Sequence, residues 1–448
     1  MTEDTIVALA SGAGRAGVAV IRVSGPSSKA LLETMTEVPA PRPRTASVRR
    51  LYVPGSSTLL DEAVVILMPG PRSFTGEDVL ELHVHGGGAV VESVLKAALT
   101  MADVRLAKPG EFSRRAFENQ KMDLTRAEAI QDLVNAESDA QRALAMSQYE
   151  GALRQNVESI LAELVSALAS LEAAIDFPDE SDIPTGVESR AGVIATRLRS
   201  TLQDWLSRLR ANKAVRDGYR IAILGKPNAG KSTLFNLLCE REAAIVSDIP
   251  GTTRDIIEAR LVMNGFVVIL SDSAGLRDTD DVIEAEGVRR ARARADESHF
   301  RILVADRSDP DLDASLVGQA DLVVLNKADL PSALDLTVVE SVRGARVIPA
   351  TLSNASGLED IRQILSERLV ADLGSRESTF ITNERHRSLV QAALNHLESS
   401  LESMSRGDGE ELIAEDLRLA ARSLGEIVGS VDVEHILDQI FGEFCIGK

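Results

Sequence analysis

The hydrophobic pattern of residues 1–118 predicts a domain rich in β-strands. Short apolar runs there end in turn residues, as in GVAVIRVSG (17–25) and EAVVILMPG (62–70), and such runs are typical of strands. The segment DVLELHVHGGG (78–88) alternates apolar and polar residues before a glycine turn, which is the pattern of a half-buried strand. Residues 86–101 then follow a helical period.

Long amphipathic helices are predicted on both sides of the middle of the chain. Between residues 125 and 177 apolar residues recur every three or four positions without a proline, and the same pattern returns at 191–213 and after residue 380. Residues 216–372 instead alternate short apolar strands with helices, as in an α/β domain. We therefore predict a helical domain in two parts, 119–215 and 373–448, interrupted by an inserted α/β domain.

A glycine-rich turn between a predicted strand and a predicted helix indicates a phosphate-binding loop. In YRIAILGKPNAGKSTLFNLL (219–238), the residues Gly225, Gly230, Lys231 and Ser232 follow the spacing GxxxxGKS. The glycines let backbone N–H groups surround phosphates, Lys231 brings a positive charge to the β- and γ-phosphates, and Ser232 offers a hydroxyl to Mg²⁺. This stretch predicts a nucleoside triphosphate site.

Three further motifs, in order along the chain, indicate that the nucleotide is GTP. DSAG (272–275) follows an apolar strand, where Asp272 is placed near Mg²⁺ and Gly275 near the γ-phosphate. In NKAD (326–329), Asn326 and Asp329 suit the guanine ring, because a carboxylate accepts from ring N–H and amino groups that adenine lacks at those positions. DIPGTTRD (248–255) stands where a switch loop with a Mg²⁺-binding threonine belongs. Together the four motifs predict a GTPase domain.

One residue departs from the Ras-like pattern. Leu276 occupies the position of the glutamine that positions the attacking water, and a leucine side chain has no group for that task. Either the protein is a slow switch or its catalysis is arranged differently. Acid–base candidates follow directly in the chain, although ordinary surface charges are the alternative interpretation: Asp278, Asp280, Asp281, Glu284 and Glu286.

Composition and charge limit the function classes. The net charge of −19 argues against a protein that grips nucleic acid over its whole surface, and any such task would be shared with a basic partner. The basic stretches RPRTASVRR (42–50) and GVRRARARA (287–295) each read as a solvated face when taken alone. Two cysteines fit a reducing compartment. With no secretory signal and no run of about eighteen apolar residues, we expect a cytoplasmic protein without a membrane partner.

The motifs together resemble one known family. The asparagine in GKPNAGKST, the loop DIPGTTRD, the stretch DSAGLRD and the closing CIGK are similar to those of the tRNA-modification GTPases called MnmE or TrmE. The resemblance covers essentially the whole chain and implies a multidomain α/β plus α fold. It implies a folate-binding and dimerisation domain at 1–118 and a Ras-like P-loop GTPase domain at 216–372, inserted into the helical domain.

The resemblance also implies how GTP is hydrolysed. Family members are homodimers whose G domains meet across the nucleotides, where K⁺ promotes hydrolysis in place of an arginine finger, since a cation there neutralises developing charge. The implied K⁺ ligands are Asn228, Ser247, Ile249 and Thr252, the Mg²⁺ ligands are Ser232 and Thr253, and Glu284 orients the water. The implied GTP-binding residues are Asn228, Ala229, Gly230, Lys231, Ser232, Thr233, Ser247, Asp248, Ile249, Pro250, Gly251, Thr252, Thr253, Asp272, Ser273, Ala274, Gly275, Asn326, Lys327 and Asp329.

A loop near the guanine departs from the usual Ser-Ala-Lys pattern. We place it at ATLSNASG (350–357), where the backbone N–H of Leu352 is the expected donor to the guanine oxygen.

For the N-terminal domain, the resemblance implies a site for 5-formyl-tetrahydrofolate or another tetrahydrofolate one-carbon derivative. The matching positions are Arg22, Glu81, Lys121 and Lys448. A carboxylate suits the N–H and NH₂ edge of the pterin, and cations suit the glutamate tail, whereas ordinary surface ion pairs are the alternative. His83 and His85 share a strand face without a third ligand nearby in the sequence, so we interpret them as structural.

The chain closes on FCIGK (444–448), which has two interpretations. Taken alone it is a helix that stops at Gly447, with Cys445 as a small core residue. In the family Cys445 lies near the folate and matters for modification, and Lys448 reaches the folate, so Glu284 and Cys445 become the catalytic candidates. A role of Cys445 as nucleophile stays open.

The whole resemblance implies a K⁺-stimulated GTPase that acts with the larger FAD-containing protein MnmG in a heterotetramer. Together they would place a carboxymethylaminomethyl or aminomethyl group at C5 of the wobble uridine of tRNA. One alternative is a ribosome-assembly GTPase, which would need a basic RNA-binding module that nothing after residue 372 offers. The other is a regulatory switch with no role in modification, for which Cys445→Ser would leave modification intact.

Overall fold

The computed structural model describes most of the chain. The described residues are 4–176, 187–241, 243–245, 258–272, 297–310, 314–334, 345–374, 381–431, 434–442, 444 and 446–447. The chain forms two compact units. The first comprises Met1–Gln131, Arg154–Ala162 and Ala421–Lys448, and the second comprises Asp132–Leu153 and Glu163–Ala420.

The first unit contains a six-stranded sheet in the order β3-β4-β5-β2-β1-β6. Strand β6 runs parallel to β1, and the other neighbours are antiparallel. The strands are β1 (Thr5–Leu9), β2 (Ala16–Ser24), β3 (Ser47–Tyr52), β4 (Leu59–Met68), β5 (Val79–Gly86) and β6 (Val104–Leu106).

One face of this sheet carries the core. Helices α1 (Ser28–Thr36) and α2 (Gly88–Ala98) pack Leu31 and Val94 against buried strand residues such as Ile21 and Leu82. Because side chains alternate along a strand, the neighbouring positions point to the opposite face. That second face carries Arg22, Glu81 and His83, all only partly buried.

The C-terminal tail packs on the same unit. Leu124 of α4 (Leu124–Asn135), Phe441 of α13 (Glu434–Gly442) and the tail residue Phe444 share a cluster beside α3 (Glu111–Glu118). Helix α13 ends at Gly442, so the simple interpretation of a helix that runs to Gly447 is wrong. Ile446 instead pairs with Pro109 in an antiparallel bridge.

The second unit joins helices to a seven-stranded sheet in the order β13-β12-β11-β7-β10-β9-β8. Strand β9 is antiparallel to both β8 and β10, and the remaining neighbours are parallel. The strands are β7 (Tyr219–Leu224), β8 (Ala243–Ile245), β9 (Glu258–Met263), β10 (Phe266–Asp272), β11 (Phe300–Asp306), β12 (Leu322–Asn326) and β13 (Arg346–Pro349).

Helices before, within and after this sheet complete the described fold. They are α5 (Asp139–Tyr149), α6 (Ala152–Asp176), α7 (Val187–Asp217), α8 (Lys231–Arg241), α9 (Ala314–Val317), α10 (Leu358–Leu373), α11 (Glu384–Arg406) and α12 (Glu410–Val428). Helices α7 and α11 pack against each other. Helix α5 reaches the β9–β10 hairpin, where the Ala140 N–H donates to the Gly265 carbonyl at 3.1 Å.

The predicted fold class is confirmed. A mixed sheet domain stands at the N-terminus, and an α/β domain with a parallel sheet core interrupts a set of long helices. The numerical domain boundaries stay predictions. Helix α1 and the short strand β6 were not predicted, because their apolar residues fit no long period. Across the described helices, none has both the length and the apolarity required to cross a bilayer.

Candidate functional site

The predicted phosphate-binding loop has the geometry that requires its glycines. Gly225 has a φ of 143°, and a Cβ there would lie 2.2 Å from the Val304 carbonyl oxygen. Gly230 has a φ of 107°, and a Cβ there would lie 2.2 Å from Nδ2 of Asn326. Both positions therefore exclude any side chain. The loop leads into α8, whose N-terminal N–H groups suit an anionic phosphate.

Three side chains meet at the start of α8. Lys231 is 5% exposed, and its ammonium donates to the Lys226 carbonyl at 2.7 Å. Burial lowers the pKa of Lys231, and the nearby Asp272 carboxylate opposes that shift. Ser232 Oγ donates to Asp272 Oδ2 at 2.9 Å. A hydroxyl and a carboxylate side by side are hard oxygen donors, so this pair fits a magnesium ion.

Asn326 has a positioning role that the sequence did not predict. Its side chain is 6% exposed, and Nδ2 donates to the Ala229 carbonyl at 2.8 Å. Its Oδ1 accepts from the Leu352 N–H at 3.0 Å. Asn326 thus ties the phosphate loop to the 3₁₀ turn Leu352–Asn354. The Leu352 N–H, the expected donor to guanine, is satisfied by Asn326 in this structure.

The other residues of the NKAD motif are also held in place. Thr351 Oγ1 donates to Asp329 Oδ1 at 3.4 Å, which orients an otherwise exposed carboxylate. Lys327 adopts a φ of 60°, and its ammonium pairs with the Asp306 carboxylate. The Asp306 partner was missed, because it lies at the end of β11 and no motif includes it. Asn228, also with positive φ, is exposed at the tip of the phosphate loop, and Thr233 is exposed on the first turn of α8.

Several predicted site residues lie outside the described residues. They are Ser247, Asp248, Ile249, Pro250, Gly251, Thr252, Thr253, Ser273, Ala274, Gly275, Glu284, Cys445 and Lys448. Leu276 and the other carboxylates that follow it, as well as the basic stretch 287–295, lie there too.

The first unit brings together two of the predicted folate residues. Arg22 on β2 stands opposite Glu81 on β5, and its Nε and Nη2 donate to Glu81 Oε1 at 3.1 and 3.0 Å. The Arg22 guanidinium carbon lies 5.3 Å from the Phe74 ring centroid and 5.9 Å from that of Phe112. His83 Nε2 is 3.3 Å from Glu81 Oε2. A partly buried ion pair flanked by flat rings fits a heterocycle with N–H donors.

Of the three ring residues at this site, His83 was interpreted as structural, and Phe74 and Phe112 were missed. His83 shares the strand face of Glu81, so its period-two spacing was a usable signal. Phe74 comes from the loop after β4 and Phe112 from α3, and no local pattern relates them to Arg22.

Of the remaining folate candidates, Lys121 follows α3 and lies near the loop after β4, and Lys448 lies outside the described residues. Lys121 is exposed, and its Cγ and Cδ would lie 3.3 Å from a Cβ placed on Gly76, two residues after Phe74. Gly447 packs so closely that a Cβ would lie 2.1 Å from the Leu9 carbonyl oxygen. Leu9 follows Ala8, the β1 partner of Arg22, so the tail reaches the strand beside that arginine.

His85 has a separate partner. Its Nδ1 lies 2.7 Å from Asp61 Oδ1, and its backbone N–H donates to Asp61 Oδ2 at 2.7 Å. Burial alone would raise the pKa of Asp61, but these hydrogen bonds from His85 outweigh it and lower that pKa. Among the residues that the structure describes, no three His, Cys, Asp or Glu side chains are grouped to hold a metal ion.

Comparison with known proteins covers the whole chain. The family model described as the MnmE helical domain matches residues 124–445, and that of the GTP-binding protein TrmE N-terminus matches residues 5–121. A protein named tRNA modification GTPase MnmE from Paramagnetospirillum magneticum is 49% identical over 451 residues, with 100% of both chains covered. Proteins of the same name from Maricaulis maris (46% identical, 100% of both chains) and Hyphomonas neptunium (42% identical, 100% of this chain and 99% of that one) also match.

Solved structures match only part of the chain. The G domain of the T. maritima FeoB iron transporter is 23% identical, covers 34% of this chain and 98% of its own, and superposes with a TM-score of 0.26. The FeoB G domain from Methanococcus jannaschii is likewise 23% identical, covering 34% of this chain and 97% of its own with a TM-score of 0.25. These likenesses add nothing to the assignment.

Proposed function

The chain belongs to the MnmE family of tRNA modification GTPases, and we propose that it couples GTP hydrolysis to modification of the wobble uridine of tRNA. The reaction adds a carboxymethylaminomethyl or aminomethyl group at C5, with the FAD-containing protein MnmG as partner. The GTP hydrolase activity in this proposal is supported by the phosphate loop, where Ser232 is hydrogen-bonded to Asp272 beside the buried Lys231. The modification half is supported by the Arg22–Glu81 ion pair, which lies on the same sheet that Gly447 of the tail contacts at Leu9.

In the GTPase half, the residues of the chain have separate tasks. The N–H groups at the start of α8 hold the phosphates, and Lys231 exchanges the Lys226 carbonyl for phosphate oxygens. Asp329 accepts hydrogen bonds from the guanine edge, while Asn326 keeps the phosphate loop and the Leu352 turn in register. Ser232 and Thr253 would hold Mg²⁺, which supplies positive charge against the phosphate oxygens.

The potassium site would lie at the tip of the phosphate loop. Asn228 supports it, because its left-handed backbone presents an exposed amide at the tip of the phosphate loop. Ser247, Ile249 and Thr252 would complete the ligand set. A potassium ion there supplies the charge that an arginine finger gives in other GTPases. Glu284 then orients the attacking water in place of the missing glutamine.

The folate half rests on donors and acceptors of the first unit. Glu81 would accept from the pterin N–H and NH₂ groups, and Lys121 and Lys448 would suit the glutamate tail. The rings beside Arg22 support a flat ligand at this place. Such a tetrahydrofolate derivative supplies the one-carbon unit when bound. Cys445 lies outside the described residues and is proposed as the catalytic cysteine. Of its sequence neighbours, Phe444 is buried and Ile446 pairs with Pro109.

The proposal includes assembly and location. A homodimer through the N-terminal domains, joined to MnmG as a heterotetramer in the cytoplasm, fits an acidic chain that shares the holding of tRNA with its partner.

The test separates the two halves by variant. Each variant is expressed in a bacterium that lacks its own MnmE, and the wobble nucleoside of its tRNA is measured by mass spectrometry. GTP turnover is measured on the purified variants. Arg22→Ala and Cys445→Ser should lose modification and keep hydrolysis, whereas Asp272→Asn should lose both. Intact modification in the first two variants would favour the regulatory switch. GTP-dependent cosedimentation with ribosomes would favour the ribosome-assembly alternative.

A further inference from the structure

A positively charged segment stands out in this acidic chain. Between Val38 and Leu60 the sequence has four arginines and no aspartate or glutamate, in a protein of net charge −19. The segment forms the loop before β3 and then β3 itself, the edge strand of the six-stranded sheet. Nothing in the GTPase or folate chemistry described above uses these arginines.

The loop before β3 is held in a defined turn. The Thr45 N–H donates to the Arg42 carbonyl at 3.3 Å, with Pro43 at the second position and Arg44 at a φ of 59° in the third. A turn with proline second and a positive φ third is of type II, and its third position normally holds glycine. The chain places an arginine there instead.

Further hydrogen bonds fix this turn against the loop after β4. The Arg44 N–H donates to the Leu67 carbonyl at 2.7 Å, and its guanidinium donates to the carbonyls of Pro69 (3.4 Å) and Arg72. These contacts bring the backbones of Arg42, Arg44 and Arg72 close together. These three exposed residues, with the exposed Arg50 six positions after Arg44 on β3, are called the arginine surface below.

The arginine surface lacks the ion pairs that occupy other arginines. Within the described part of the chain, none of its four members has a carboxylate within 4.0 Å, whereas Arg105 and Arg114 of the same unit each bind two. Of the neighbouring acidic residues, Asp61 is bonded to His85, and Glu62 stands opposite Arg50 in the strand register. Clustered guanidinium groups without carboxylate partners suit the oxygens of phosphate groups.

The position of this surface relates it to the proposed modification site. Arg72 is two residues from Phe74, so their Cα atoms are at most about 7 Å apart. The Arg22 guanidinium lies over the Phe74 ring. A polyanion bound to the arginine surface would therefore lie near the loop that borders the Arg22–Glu81 pair.

We propose that the arginine surface binds the phosphate backbone of the tRNA substrate and so holds the reacting nucleotide beside the N-terminal site. The inference rests on the proposed function, because it names where that function's RNA touches this chain. Backbone contacts of this kind position a nucleic acid without reading its sequence. Arg42 and Arg72 carry the contact, while Arg44 fixes the turn between them.

The test compares two double variants of the full chain. Arg42→Ala with Arg72→Ala removes two charges from the surface, and Arg142→Ala with Arg346→Ala removes two exposed charges that pair with Asp139 and Glu367 elsewhere. The dissociation constant for whole tRNA is measured against KCl concentration. We expect the first variant to bind roughly tenfold more weakly with a salt slope lower by about two, and the control to match the native chain. Basal GTP turnover reports that both are folded.

The outcomes that would overturn the inference are the following. An unchanged dissociation constant and slope in the first variant, or an equal loss in the control, removes the phosphate contact from this surface. Loss of MnmG association with unchanged tRNA affinity makes the surface a site for an acidic protein instead. Wobble modification by the native chain is measured in parallel. If one of these outcomes is found and the native chain modifies tRNA, only the assignment of the surface is wrong. If the native chain does not modify tRNA, the proposed function itself is wrong.

Discussion

Ser232 Oγ and Asp272 Oδ2 lie 2.9 Å apart, and they join the start of α8 to the end of β10. Residues from two different motifs meet there because parallel strands β7 and β10 end at the same edge of the sheet. The buried Lys231 stands beside them. This contact is the physical basis for expecting GTP chemistry at that edge.

The first prediction removes one charge from this contact. Asp272→Asn keeps the size of the side chain but loses the negative charge that attracts the Lys231 ammonium and would attract Mg²⁺. We expect GTP turnover to fall on the order of 100-fold, measured by phosphate release at saturating Mg²⁺. Asp360→Asn, an exposed carboxylate of α10 in the same unit, should turn over GTP like the native chain. Full activity of Asp272→Asn would exclude this carboxylate from the site.

The second prediction tests the loop geometry. Gly230→Ala places a Cβ 2.2 Å from Asn326 Nδ2, so the phosphate loop must move. Gly265→Ala is a matched control, because its φ of 81° is equally left-handed but nothing lies within 4 Å of its Cβ. We expect Gly230→Ala to lose roughly 100-fold or more in affinity for a fluorescent GTP analogue. Equal affinity in the two variants would mean that a Cβ at position 230 does not displace the phosphate loop.

The strand, turn and helix of the phosphate loop were predictable because their motif is local in sequence. The turn from Gly225 to Ser232 carries its own geometry, since glycine and a strand-to-helix junction already define it. The bonds of Asn326 to Ala229 and Leu352 were not predictable, since they join three segments far apart in the chain. The same holds for the Lys327–Asp306 pair.

The N-terminal site was predicted only through the resemblance. Composition and spacing do not place Arg22 opposite Glu81, because register depends on the pairing of β2 with β5 across 59 residues. The rings of Phe74 and Phe112 come from a loop and a helix without a shared period. Of the two interpretations of the tail, the helix that stops at Gly447 is wrong, and the pairing of Ile446 with Pro109 is a tertiary contact that the sequence does not show.

The third prediction concerns the folate half. Arg22→Ala removes the partner of Glu81 and the cation above the two rings, so tetrahydrofolate affinity measured by calorimetry should fall at least about tenfold. GTP turnover should stay as in the native chain. Arg114→Ala, which breaks the pairs with Glu118 and Asp438 in the same unit, serves as the control and should bind the folate normally. Unchanged folate binding in Arg22→Ala would leave the Arg22–Glu81 pair as a structural ion pair.

The fourth prediction follows from the buried charges around Glu111. Burial alone would raise the pKa of Glu111, but hydrogen bonds from Arg105, the Lys108 N–H and Arg115 outweigh it and lower that pKa to about 2. A lowered pKa stabilises the fold above the ordinary value of 4.5. The stabilisation is lost as the pH falls from there toward about 2.

The test is the variant Glu111→Gln, followed by hydrogen exchange of peptides from β1 and α3. At pH 7 we expect their free energy of opening to fall by roughly 2–3 kcal/mol, because Arg105 and Arg115 lose a charged acceptor. The difference from the native chain should shrink as the pH falls toward 2. Glu92→Gln, which breaks a surface pair with Lys96, should exchange like the native chain. A difference that is the same at every pH would contradict the assigned ionisation.

The fifth prediction concerns the cation. Asn228→Ala should bind GTP but lose the difference between potassium and sodium, because an exposed amide ligand is removed from the phosphate loop. Glu284→Ala should bind GTP and hydrolyse it poorly in both salts. Steady-state turnover of each variant in the two salts checks both statements. A K⁺ to Na⁺ ratio like that of the native chain would take Asn228 off the ligand list, and near-normal turnover would do the same for the role of Glu284.

The central claim is that this chain is a GTPase whose hydrolysis depends on a potassium ion shared with the nucleotide. The most direct measurement is GTP turnover of the native protein in matched KCl and NaCl across a range of protein concentrations. We predict faster turnover in KCl, rising with concentration as G domains associate. Equal and slow turnover in both salts at every concentration would contradict the claim, and the protein would then be a GTP-binding switch without the potassium site.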